Sequence, residues 1–257
     1  MPNCPSPRIP ARLKASNLFD NGVQSLKLHA LILSAFSIAA AADQPALAPD
    51  AIVQNYCAAQ QQAQAQSGKA SRMDVNIQAS LPGLKKQGRL HGLRKITKLG
   101  RITYVKLIFE GDNTVKNQVI ERYLTAEAEA QRDELAALAV TPDNYKFQYK
   151  GQNQVEGRAV HVFQVTPKHK LRGLFKGEVW IDAATYLPVQ ESGYLIKSPS
   201  IFVKKVAFVR KFEIRDGVSV PLQVQSTVDT RLFGKAELTV DFTNFSLDDG
   251  DSDTDDR

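Results

Sequence analysis

The chain has 257 residues, 43% hydrophobic and 23% charged, with a formal net charge of +6. That is ordinary globular material and excludes a disordered polar chain. The surplus of Lys and Arg points away from cationic partners.

Leu28 to Ala42 form an apolar run of 15, preceded by Lys27 and closed by an A-x-A pattern at Ala40 to Ala42. Such a run is too short for a membrane span and reads as a secretory signal peptide. Residues 1–42 are therefore expected to be an N-terminal extension and leader, with translation starting near Val23. Cys4 would leave with it, and the remaining Cys57 cannot form an internal disulfide. No Cys follows the apolar run, so a lipid anchor is not expected and a soluble periplasmic product is. Residues 43–247 hold 28 Lys and Arg against 20 Asp and Glu, followed by an acidic tail over 248–257. The tail's D-x-D spacing lacks the turn Gly and distal Glu of a calcium loop, and it reads as disordered.

A helix is predicted from about Pro49 to Ala65, with Ile52, Val53, Tyr56, Ala59 and Ala63 on one face. Cys57 is read there as a buried small hydrophobe. Met73, Val75, Ile77 and Ala79 alternate with polar residues as a strand. Leu81 to Arg101 carries seven Lys or Arg and no acid, and reads as a loop followed by a strand from about Gly88 to Lys98. The next strand, Arg101 to Glu110, is apolar on both faces and expected to be covered on both. A strand over Gln118 to Leu124 precedes an Ala-rich helix from about Ala126 to Ala139, capped by Thr125.

From Tyr145 the pattern is almost continuous strand. Segments at Tyr145 to Tyr149, Gly157 to Thr166, Phe175 to Asp182, Leu187 to Lys197, Phe202 to Arg215, Val218 to Thr230 and Gly234 to Phe245 alternate with a period of two. Asp216-Gly217 is the strongest hairpin signal. The expected architecture is α+β but mainly β: a strongly curved antiparallel half-barrel of about 11 strands, with helices covering the concave face.

No nucleophile elbow, P-loop, dinucleotide fingerprint or zinc-protease motif is present. His161 sits between Val160 and Val162 as a structural imidazole, and His169 lies among Lys168, Lys170 and Arg172 at a solvated tip. The reading is therefore non-catalytic, with no cofactor and no metal site. The basic residues Lys85, Lys86, Arg89, Arg94, Lys95 and Lys98 are candidates for contact with an anionic membrane surface. Without interleaved aromatics, and with export, nucleic acid is not an expected partner.

From Phe175 the sequence FKGEVWIDAATYLPVQESG places Gly177, Trp180, Asp182, Thr185 and Pro188 in a strand, turn, strand setting. This stretch resembles the LolA/LolB/RseB-like periplasmic lipoprotein-carrier superfamily, whose layout matches roughly Pro49 to Phe245. The resemblance implies a helix-lidded half-barrel around an apolar cavity that takes acyl chains or a lipoprotein's lipid. The Ala-rich helix would be the lid, no position matches a carrier's functional Arg, and the missing lipobox disfavours a LolB-type anchored receptor. Val220, Leu222, Val224, Leu238, Val240, Phe242 and Trp180 are the expected cavity or core positions.

The leading expectation is a monomeric periplasmic carrier or binding protein for a lipid, lipoprotein or other acylated ligand, with a cavity of several hundred cubic ångströms. A filled interior would favour the alternative, an RseB-like envelope sensor or protein-interaction module. A hydrolase built on His161 or His169 beside a carboxylate is the third reading.

Overall fold

The computed structural model describes residues 47–66, 69–128, 137–198 and 203–248. Residues 46–257 form one compact unit. The leader, the expected cleavage site and residues 249–257 of the tail lie outside the described residues, as does most of the Ala-rich helix.

Helix α1 (Pro49–Gln66) starts at a proline with Asp50 in its first turn, both favourable at a helix N-terminus. Then come β1 (Ala70–Leu81), β2 (Lys86–Ile96) and β3 (Ile102–Gly111), followed by a helical stretch. Short α2 (Asn113–Val115) runs through a π-turn (Lys116–Ile120) into α3 (Glu121–Ala128). The chain closes as a meander of β4 (Tyr145–Val155), β5 (Arg158–Pro167), β6 (Phe175–Asp182), β7 (Pro188–Leu195), β8 (Val203–Arg215), β9 (Val218–Thr230) and β10 (Lys235–Asp248).

All ten strands join one antiparallel sheet in the order β3-β2-β1-β10-β9-β8-β7-β6-β5-β4, curved and not closed. The β1 to β10 pairing returns the last strand beside the first, so a single long-range ladder joins the two halves. Asp216 and Gly217 both have positive φ, 49° and 77°, as a type I′ hairpin turn requires.

Three expectations change. Gln118 to Leu124 is helical, which leaves ten strands in place of about 11. Asp112 starts that helix by accepting from the Thr114 backbone N–H at 2.7 Å. The π-turn then brings Val115 and Ile120, five residues apart, to the same buried side. Thr125 consequently lies inside α3 and caps nothing. Finally, β3 is a sheet edge, so its two apolar faces are not both covered: Leu107 is 45% and Ile108 62% exposed.

Two faces of the sheet are dry. On the concave side, one cluster gathers β1, β2, β9 and β10 under α3 and its π-turn, and another gathers β4 to β8 under α1. A small third cluster of Val160, Val162 and Val189, with Trp180 and Ile214 against it, lies on the opposite face, because these residues alternate with Phe163, Val179 and Ile181 of the α1 cluster.

The family-like stretch has a local structural role. The Asp182 carboxylate accepts from the backbone N–H groups of Ala184 and Thr185 at 3.1 and 2.8 Å, and from the Thr185 hydroxyl at 2.8 Å. It thereby builds the β6 to β7 turn. Gly177 and Gly193 face each other across these strands, and a Cβ on Gly177 would fall 1.8 Å from the Ser192 carbonyl oxygen. Gly177→Val is therefore expected to destabilise the fold by about 3 kcal/mol or more, through forced separation of β6 from β7. Urea unfolding should show a lower midpoint with an unchanged slope.

Candidate functional site

The concave face is where the fold concentrates its apolar surface. Val220, Leu238, Val240 and Phe242 are all buried there, packed with Met73, Val75 and Ile77, and Val224 packs against them half-buried. Val115, Ile120 and Leu124 descend onto this cluster from the helical side. Two expected members are elsewhere. Leu222 is the extra residue of a β-bulge, because Lys211 pairs with Gln223 and Phe212 with Pro221; it is 37% exposed. Trp180 packs on the outer face, its indole N–H donating to Glu178 at 3.1 Å.

Arg94 departs furthest from its expected place. It was grouped with the surface bases, yet its position on β2 opposite Met73 points it inward, and it is only 5% exposed. Its guanidinium donates to the Glu127 carboxylate of α3 at 2.9 Å and sits 5.7 Å from the Phe242 ring centroid. The Tyr104 hydroxyl of β3 donates to the same carboxylate. Burial pushes the Tyr104 phenol well above its usual range, and the neighbouring Glu127 adds to the shift. Arg94 Nε is buried without a hydrogen-bond partner. One charged cluster thus ties α3 to the sheet inside an apolar setting.

The other half of the concave face is closed by α1. Ile52, Val53 and Tyr56 insert among Tyr145, Phe163, Phe175 and Val179. Phe208 meets Phe175 edge-on with centroids 5.1 Å apart. A second buried charge sits here: the Glu191 side chain of β7 is 12% exposed and pairs with Arg210 of β8 at 3.5 Å. Burial raises the Glu191 carboxyl above its ordinary range, against the opposing pull of Arg210. The Tyr56 phenol is raised too, first by burial and then by Glu191. Cys57 is half-buried beside this cluster, and burial raises its thiol.

Two hollows on the sheet are not apolar chambers. One is an open trough of about 550 Å³ across β3, β2, β1 and β10, lined by polar side chains including Gln78, Ser80, Gln87, Arg89, Glu110 and Thr239. The other is a crevice of about 10 Å³ beside Met73, Val220 and Phe242. Among the described residues, Ile52, Val53 and Tyr56 of α1 and Val115, Ile120 and Leu124 of the α2 to α3 stretch pack onto the concave face.

The basic segment does not form one patch. Lys85 lies in the β1 to β2 turn and Lys86 pairs with Asp112 at 3.3 Å, whereas Lys98 lies in the β2 to β3 turn at the far end of the sheet. Arg89 and Lys95 are exposed on the outer face between them. His161 is buried and shares a 3.2 Å hydrogen bond with the Tyr149 hydroxyl, while burial lowers its imidazole. The nearby Asp182 carboxylate, whose charge opposes that lowering, is engaged in its own turn. Among the described residues, no group of His, Cys, Asp and Glu could hold a metal ion, and no helix is long and apolar enough to cross a membrane.

These features define a helix-plugged, open antiparallel half-barrel with two charged clusters inside it. The family model of the MucB/RseB N-terminal domain matches residues 104–206. No curated protein matches the sequence. Among solved structures, a DUF1329 family protein from Desulfovibrio piger aligns at 13% identity over 79% of this chain and 95% of its own, with a TM-score of 0.40. A LolA superfamily protein from Nitrosomonas europaea aligns at 10% identity over 80% and 96%, with a TM-score of 0.38. The Pseudomonas aeruginosa MucA/MucB complex aligns at 12% identity over 76% and 100%, with a TM-score of 0.24. These are loose overlaps.

Sequence reasoning missed the buried Arg94 with its partner Glu127, and the largely buried Glu191, whose partner Arg210 stays exposed. Arg94 alone carried a signal, since it stands in phase with Gly88, Leu90 and Gly92 on the buried side of β2. Removing Glu127 leaves a buried guanidinium uncompensated, so Glu127→Ala should cost about 2–3 kcal/mol, and pairing Arg94→Met with Glu127→Leu should recover most of it. A double-mutant cycle by urea denaturation measures both. Glu191 has the opposite sign: a raised folded-state pKa means the native state binds its proton more tightly, so stability falls as pH rises through that pKa. Glu191→Gln should therefore raise Tm at pH 7.5, with the gain shrinking towards pH 4.

Proposed function

We propose that the chain is an exported, non-catalytic interaction module of the RseB kind, acting in the bacterial envelope. The observation that carries this is the helical packing on the concave face. Ile52, Val53 and Tyr56 from one side and Val115, Ile120 and Leu124 from the other occupy the space a carrier would keep for acyl chains. The match to the MucB/RseB N-terminal domain agrees with this reading. In it, residues 1–42 act as the leader, 43–247 as the working domain, and the partner is a protein that meets the outside of the sheet.

The carrier reading keeps one supporting observation. Among the described residues, a charged cluster of Arg94 with Glu127 and Tyr104 ties α3 to the sheet, and a ligand could displace it without refolding the sheet. An opened form would present Val220, Leu238, Val240 and Phe242 to a lipid, a lipoprotein or an acylated peptide.

Native mass spectrometry of residues 43–257 from a periplasmic extract separates the two. The interaction module should give a clean monomer mass that stays unchanged on adding phospholipid or a palmitoylated peptide. A co-purified or newly bound acyl ligand would sink the interaction reading in favour of the carrier.

A further inference from the structure

The meander sends alternate connections to opposite ends of the sheet, and the two ends differ in chemistry. Pairing of Leu81 with Lys86, Ser80 with Glu237, Lys235 with Asp229, Val203 with Thr230, and Phe175 with Leu195 puts four loop connections at one end. They join β1 to β2, β9 to β10, β7 to β8 and β5 to β6, and the pairing of Gly111 with Gly88 and of Tyr145 with Pro167 brings both ends of the helical β3 to β4 connection there as well. Spread over eight neighbouring strands, they form a rim roughly 35 Å along its arc.

Three of these four connections expose a leucine: Leu84 at 44%, Leu232 at 66% and Leu171 at 46%. Each leucine has bases near it in sequence, two of them ion-paired: Lys86 with Asp112 and Lys235 with Glu237. Lys85 and Lys86 follow Leu84, Arg231 precedes and Lys235 follows Leu232, and Lys170 and Arg172 flank Leu171. Exposed Lys197 and Lys204 border the fourth connection. At the opposite end the β4 to β5 turn carries Glu156 with Arg158, the β6 to β7 turn Asp182, and the β8 to β9 hairpin Asp216 beside the Glu213–Arg215 ion pair. Among the described residues, Leu99 in the β2 to β3 turn, beside Lys98 and Arg101, and Leu247 near the end of β10 are the exposed leucines at that end.

We propose that the leucine-tipped end is a membrane-docking rim that seats on an anionic lipid surface. Isolated leucines held apart on separate turns do not make the continuous apolar core that a folded protein partner would need. A bilayer requires no such continuity, because lipid closes around each tip. Apolar side chains entering the interface between Lys and Arg that meet phosphate headgroups are the arrangement that binds anionic membranes, with the charged stems lying along the boundary. Docked this way, the strands stand end-on to the surface and the outer face of the sheet remains open to partners. The inference does not depend on whether the concave face takes a ligand.

Flotation of residues 46–257, the compact unit, with vesicles of phosphatidylethanolamine and phosphatidylglycerol, against pure phosphatidylcholine vesicles, tests it. The protein should float with the anionic vesicles and not with the zwitterionic ones. Replacing all three tips (Leu84→Ser, Leu171→Ser, Leu232→Ser) should weaken that binding about tenfold or more, while Leu99→Ser at the other end leaves it unchanged. Should the triple variant not fold, single tryptophan reporters replace it: emission of Leu232→Trp should shift to the blue on adding anionic vesicles, and that of Leu99→Trp should not. Absence of binding, binding that salt removes but the serine substitutions leave intact, or loss caused by Leu99→Ser would each overturn the proposal.

Discussion

An antiparallel sheet that curves without closing has an apolar concave face that nothing in the sheet itself can cover. Every other feature of this molecule follows from that exposure. Two separate helical segments supply the cover, α1 over β4 to β8 and α3 with its π-turn over β1, β2, β9 and β10. Burying side chains such as Ile52, Ile120 and Leu124 contributes about 1.5–3 kcal/mol each. Neither helix is strongly amphipathic by its own sequence, so tertiary burial is what holds them in place.

Charges inside this cover have different consequences. The Arg94 to Glu127 pair spans sheet and helix, and its strength rests on both members staying together, because an orphaned guanidinium beside Met73 and Phe242 would be costly. The Glu191 to Arg210 pair joins neighbouring strands, and its carboxylate is strained by burial more than it is relieved by its partner. The first is a tether between layers, and the second a buried cost that the ladder from β7 to β8 already holds in place.

An open sheet also has two edges to protect against pairing with other chains. Both edges use the same devices. β3 is broken by a register shift opposite His91 and Leu93 and carries exposed Lys106 at positive φ. β4 is broken at Tyr149 and Gly151 and carries exposed Lys146 and Lys150. Bulges and lysines of this kind discourage edge-to-edge addition, which leaves the faces and the ends of the sheet as its contact surfaces.

Sequence periodicity alone determined the long strands from Tyr145 to Phe245, helix α1 and the Asp216-Gly217 hairpin, because each depends on side chains two or four residues apart and on local turn chemistry. It misread Gln118 to Leu124, whose valine and isoleucine favour strand in isolation; Asp112 and a π-turn make that segment a helix facing the core. Whether a base is inside or outside was decided only in three dimensions. Lys95 and Arg94 are neighbours in a run of positive charge, yet the pleat of β2 sends one to solvent and the other under α3. Which turns share an end, and therefore that Leu84, Leu171 and Leu232 line one rim, follows from the strand order β3-β2-β1-β10-β9-β8-β7-β6-β5-β4. Strand order is a property of long-range pairing, for which residues adjacent in sequence carry no signal.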